Sequence, residues 1–106
     1  MVNENKKDTN ITNVAEKELE LLSRHIEVLN TVRDNGPIGI IKLSQVTGQP
    51  QHMIRYSLRT LEKDGLIEPS PNGAMVTDKI HESLGTIETT LDSFSKKVDN
   101  LKKKIK

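Results

Sequence analysis

A chain of 106 residues accommodates one domain with an ordinary core plus an extension, and is short for two separate globular domains. Hydrophobic residues make up 33% and charged residues 29%, so part of the chain is expected to lie outside any globular core, and the net charge of +1 provides no global field toward a polyanion. The absence of cysteine excludes disulfides, thiol nucleophiles and thiolate metal sites. No apolar run approaches a membrane span and Met1 to Asn13 is polar, so a soluble cytoplasmic protein without a membrane segment is expected.

Met1 to Asn10 is dominated by Asn, Lys, Asp and Glu without periodicity, which predicts a disordered arm over residues 1–11. Lys6 and Lys7 are its only cations, and their acidic neighbours weaken a minor-groove role. A first helix is predicted from Thr12 or Asn13, either of which can cap it, to about Asn35, where Asn35-Gly36-Pro37 stops it. Leu22, Ile26 and Leu29 form the stripe expected to face the core. Val14, Leu21 and Val28 form a second stripe, available to a partner or to the C-terminal segment.

Pro37-Ile38-Gly39 is a short extended link, followed by a helix from about Ile40 to Thr47. Ser44 is a small residue four positions before Gly48, which lets two helices cross closely and the chain turn with positive φ. Pro50 suits the first turn of the next helix, predicted over about residues 50–64. Ile54, Leu58 and Leu61 recur on one face of that helix. The other face carries Gln51, His52, Arg55, Tyr56, Arg59 and Lys63, all able to meet a base edge or a phosphate, and Lys42 on the preceding helix can reach a phosphate. Asp64-Gly65 stops the helix. Leu66 to Pro69 and Ala74 to Thr77 then read as strands joined by Ser70-Pro71-Asn72-Gly73, a hairpin signal.

From Asp78 onward Ile80, Leu84, Ile87, Leu91, Phe94, Val98, Leu101 and Ile105 alternate spacings of four and three without a miss. Such a repeat makes a seam that a second helix must cover, and the same helix of a second copy is the expected partner. A parallel pair sets Lys97 opposite the partner's Lys102. One antiparallel register brings Glu88 toward the partner's Lys102 but sets Lys97 against its own copy, so charge favours the antiparallel form only modestly.

Residues 54–67, with the pattern Ile-x-x-x-Leu-x-x-Leu-Glu-Lys-x-Gly-Leu-Ile, resemble the winged helix-turn-helix of bacterial and archaeal transcriptional regulators, and the likeness spans roughly residues 20 to 78. It implies a mainly α fold with a small β-hairpin wing, a minimal strand near Pro37-Ile38-Gly39 that pairs with the wing, and DNA binding as a homodimer. The long C-terminal helix adds a resemblance of architecture to small archaeal chromatin-type winged-helix proteins whose C-terminal helices pair antiparallel. The wing departs from strong DNA binders, because its turn has no arginine or lysine and Asn72 or its amides are the only groups it can offer to phosphate.

His25, His52 and His81 fall in three different elements, so no metal site is expected, and with no strained nucleophile turn or phosphate-cradling glycine loop neither a cofactor nor an enzymatic activity is expected. Lys102-Lys103-Lys104 reads as a solvated helix end that complements the helix dipole. The expectation is a nucleoid-associated transcriptional regulator with residues 12–77 as reading domain and 78–106 as coiled-coil dimerisation helix. The alternatives are a protein-protein interaction module and a non-specific architectural DNA-binding protein.

Overall fold

The computed structural model describes residues 11–106, so most of the expected N-terminal arm lies outside the described residues. The first helix, α1, spans Asn13–Asn35, with the Glu16 amide donating to the Thr12 carbonyl at 2.9 Å. Val28, Leu29 and Val32, near its C-terminal end, are its fully buried residues. The expected stripes are therefore cut across rather than separated by face. Leu29 and Val28, one from each, reach the core, Leu21, Leu22 and Ile26 are half-buried, and Val14 is 70% exposed. The cause is length: α1 is longer than the body it packs on, so burial decays toward its N-terminus.

Gly36 ends α1 in an extended conformation, not a left-handed one (φ −69°, ψ 152°), and its amide donates to the Val32 carbonyl at 2.7 Å. A Cβ at Gly36 would lie 2.6 Å from the Val32 oxygen and 3.1 Å from the Ala74 oxygen, so the residue serves close backbone approach. Ile38 then pairs with Ala74: its amide donates to the Ala74 carbonyl at 3.1 Å, and the Ala74 amide returns to the Ile38 carbonyl at 2.8 Å. A one-residue strand thus lies where the resemblance placed it.

Helix α2 covers Ile40–Thr47 and buries Leu43. Gly48 takes the left-handed conformation (φ 74°) and donates to the Ser44 carbonyl at 2.9 Å. Ser44 does more than make room: its hydroxyl donates to the Gln49 carbonyl at 2.6 Å, while the Gln49 amide donates to the Thr47 hydroxyl at 3.2 Å. These bonds tie the turn to the helix it leaves. Pro50 is the N-cap of α3 (Gln51–Lys63) and not its first helical residue, because its ψ of 149° is extended; its carbonyl accepts from the Met53 and Ile54 amides, both at 3.1 Å. Ile54, Ser57 and Leu61 of α3 are buried, with Leu58 packed against the core.

Asp64 and Gly65 (φ 78°) end α3 as expected. Strands β1 (Ile67–Ser70) and β2 (Gly73–Val76) pair antiparallel from Ile67↔Val76 to Ser70↔Gly73, so the loop is only Pro71-Asn72 and the strands are offset by one residue from the sequence reading. Ser70 explains the offset: its hydroxyl donates to the Gly73 carbonyl at 2.6 Å and accepts the Asn72 amide at 3.3 Å, which holds both turn-flanking residues in the ladder. Thr77 connects hairpin and last helix. Its hydroxyl donates to the Gly65 carbonyl at 2.6 Å and accepts the Lys79 amide at 3.3 Å.

Helix α4 covers Ile80–Lys104. Ile80 is buried in the domain's core, and Leu84 and Ile87 pack against it. Residues 77 and 78 therefore do not mark a division in the packing, and of the expected dimer seam Ile80 is buried within its own chain while Leu84 and Ile87 are partly covered by it. Beyond them exposure climbs from 38% at Leu91 through 40% at Phe94, 48% at Val98 and 58% at Leu101 to 86% at Ile105. The described residues form a mainly helical structure with a two-stranded hairpin and a long C-terminal helix. Among them no helix is long and apolar enough to cross a membrane.

Two glycines should respond oppositely to alanine. At Gly73, φ is 126° and a Cβ would lie 2.4 Å from the Ile38 carbonyl carbon, so Gly73→Ala should destabilise by at least about 2 kcal/mol. Gly85 sits inside α4 with nothing within 4 Å of its would-be Cβ, and Gly85→Ala should stabilise by roughly 0.5–1 kcal/mol. Urea unfolding of the two variants beside the parent checks both signs.

Candidate nucleic-acid interface

Because Ile54, Ser57 and Leu61 anchor one side of α3, its opposite side is turned to solvent, and Gln51, His52, Arg55, Tyr56, Arg59 and Lys63 are all exposed. Helical geometry sorts them into three groups. His52, Arg59 and Lys63 run along the crest opposite Ile54. Tyr56 leans toward α1, where its ring lies 5.8 Å from the His25 ring at a tilt of 37°. Gln51 and Arg55 lean toward α2 and meet Lys42 around a shallow hollow of about 600 Å³.

Two further side chains share that hollow and were missed in the sequence reading: Ile41, 64% exposed, and Gln45. They sit one turn apart on α2, with Gln45 three residues after Lys42, so the helical period that selected Lys42 also selects them. Neither α2 nor α3 has a side-chain cap at its N-terminus, and the first turn of α2 and Gln51 at the start of α3 both border the hollow. Uncapped amides and two positive helix ends therefore add to Lys42 and Arg55.

Among the described residues the only ion pair joins Arg33 to Asp34 at 3.2 Å, at the far end of α1. Lys42, Arg55, Arg59 and Lys63 make no hydrogen bond or ion pair within the described chain, so their charges stay available to an external anion. Glu62 stands off the crest and lines the gap between α3 and the hairpin. The hairpin tip, Pro71-Asn72, has no cation, and the exposed positions on its strands include Glu68 and Met75. Within the unit of α2, α3 and the hairpin, positive charge is thus confined to the two helices.

The structure also gives His25 a role that its isolation in sequence did not suggest. Its Nδ1 lies 2.8 Å from the hydroxyl of Ser57, which is fully buried, linking α1 to the inner side of α3 directly behind Tyr56. His52 and His81 are exposed on α3 and α4, and no three His, Asp or Glu side chains converge in a metal-holding group among the described residues.

Burial is the main cause that lowers the His25 pKa from its ordinary 6.5, and nearby Arg24 adds to it, against an opposing pull from Asp64. The unfolded chain therefore takes up this proton more readily than the folded one. The His25 contribution to stability should be complete above pH 6.5 and be lost as the pH falls through the lower folded value. Thermal unfolding across pH 7.5 to 5, compared with His25→Gln, should show part of the acid-side loss removed in the variant. Ser57→Ala should cost on the order of 1 kcal/mol, by leaving His25 without its partner.

No protein-family model matches the chain, and a search of curated proteins finds no match either.

Proposed function

We propose that this chain is a winged helix-turn-helix protein that binds duplex DNA as a homodimer and acts as a transcriptional regulator associated with the nucleoid. In this reading α2 and α3 form the helix-turn-helix, α3 enters the major groove, the β1–β2 hairpin is the wing, and the exposed part of the α4 seam joins two copies. The observation that carries it is the set of cations without a partner among the described residues, Arg55, Arg59 and Lys63 displayed outward by a helix whose other side is locked into the core, and Lys42 beside them on α2.

The chemistry divides along α3. The hollow with Lys42, Arg55 and the two helix N-termini suits a phosphate, which sets register on the duplex. Gln51, His52 and Arg59 have donors and acceptors for base edges, and Ile41 can pack on a sugar or a thymine methyl. Tyr56, held against His25, borders the same surface. With a cation-free wing each copy grips only through α2 and α3, so pairing two copies on one duplex raises the effective concentration of each reader.

The cation-free hairpin tip also favours a second reading, architectural binding without sequence preference, since wing contacts to base edges are then missing. Selection from a random oligonucleotide pool separates the two: a regulator enriches a two-fold motif and an architectural protein enriches none.

Replacing Arg55 and Arg59 together with alanine should weaken duplex binding by about 1–3 kcal/mol per lost contact, and flatten the log-log salt dependence by roughly 0.9 for each phosphate contact removed. Circular dichroism should be unchanged, because both side chains are exposed. Binding and salt slope equal to the parent's would remove α3 as the reading element.

A further inference from the structure

The α4 seam has a counterpart on α1. Ala15, Leu19, Leu22, Ile26 and Leu29 repeat at four and three residues, as the α4 seam does. Both stripes start in the core and run outward. On α1 exposure rises from 1% at Leu29 through half-buried Ile26 and Leu22 to 57% at Leu19, and on α4 from 6% at Ile80 to 58% at Leu101. The two outer halves flank a trough of about 540 Å³ whose walls are Leu19 and Leu22 on one side and Phe94, Val98 and Leu101 on the other. Two helices that share an apolar trough without closing it are half of a bundle.

We propose that the occupant is the outer half of α4 from a second copy of this chain, so that the dimer interface is a four-helix bundle of α1 and α4 from each copy. This rests on the homodimer of the preceding section and adds α1 to an interface assigned to α4 alone.

Three observations select a second copy, placed antiparallel. First, the exposed seam is self-complementary: setting Phe94 beside the partner's Val98 also sets Leu91 beside the partner's Leu101 and Ile87 beside the partner's Ile105. That overlap covers every exposed seam residue over about 28 Å, at 1.5 Å per residue. Second, the same register brings Glu88 to the partner's Lys102 on one flank, twice by symmetry. Third, the unfavourable contact on the other flank, Lys97 against the partner's Lys97, lies on the α1 side, because Lys97 lines the trough together with Glu18. Two glutamates from the two α1 helices therefore surround the two lysines. A pair of α4 helices without α1 has no answer to that repulsion.

Sedimentation of the full chain tests this, with the parent, Leu19→Asp and Leu101→Asp compared at equal concentration and circular dichroism confirming folding. Both leucines are more than half exposed in the single copy, at 57% and 58%, so the variants retain their core. The parent should be dimeric, and each variant should dimerise at least roughly tenfold more weakly, because a bundle buries the introduced carboxylate. The chain has no cysteine, so a spin label at Thr89→Cys reports direction. Antiparallel pairing offsets the two labels by about 21 Å along the bundle, whereas parallel pairing removes that offset and sets them level, at a correspondingly shorter distance.

A monomeric parent, a Leu19→Asp protein that dimerises like the parent, or adjacent labels each overturn the bundle. None of these readings uses DNA. A dimer with the expected variants that ignores duplex therefore counts against DNA binding alone, and a monomer that still binds duplex counts against the bundle and the homodimer it rests on while leaving duplex binding in place.

Discussion

The backbone pairing of Ile38 with Ala74 is the contact on which the rest of this structure depends. It joins the α1–α2 link to the hairpin through two hydrogen bonds of 2.8 and 3.1 Å, and it needs backbones to approach without intervening side chains. Glycine at 36 and at 73 makes the approach possible from both sides, since a Cβ at either position would fall inside neighbouring backbone atoms. With the hairpin held there, Ile67 and Ile38 close the core around Leu43, Ile54 and Leu29, and the inner side of α3 has a fixed bed. Its outer side is positioned as a consequence.

That positioning is electrostatically inexpensive. The cations on α2 and α3 stand in water without partners among the described residues, so the described fold neither desolvates them nor depends on them for stability. Ser57 and His25 supply a polar contact beneath α3, linking its buried side to α1. Tyr56 lies over that contact at the surface. A change in how α1 is held would therefore be felt at the edge of the exposed face of α3 before it reached the crest.

The helices α1 and α4 outlast the core they help to build. Hydrophobic spacing continues along both after burial has stopped, and exposed leucine, phenylalanine and valine on a regular seam are costly to leave in water. The same two helices thus serve folding at one end and carry exposed apolar surface at the other. Their shared trough connects the two regions, because His25 borders it while bonding to Ser57 on the inner side of α3.

Much of the architecture was legible in the sequence because it is encoded locally. Periodicity placed α2 at Ile40–Thr47 and the other helices within a few residues, Gly48 announced a left-handed turn, Asp64-Gly65 announced the end of α3, and Asn72-Gly73 announced the hairpin. The exposed face of α3 followed from the same period, and so did the candidate contacts on it. What stayed hidden depends on contacts between distant segments. The Ser44 hydroxyl in the turn, the one-residue shift held by Ser70, and the His25–Ser57 bond each come from hydrogen-bond geometry that spacing does not report. Above all, the α4 seam is one unbroken repeat in sequence, yet tertiary packing divides it, because a small domain has room to bury Ile80, Leu84 and Ile87 and none for the residues beyond.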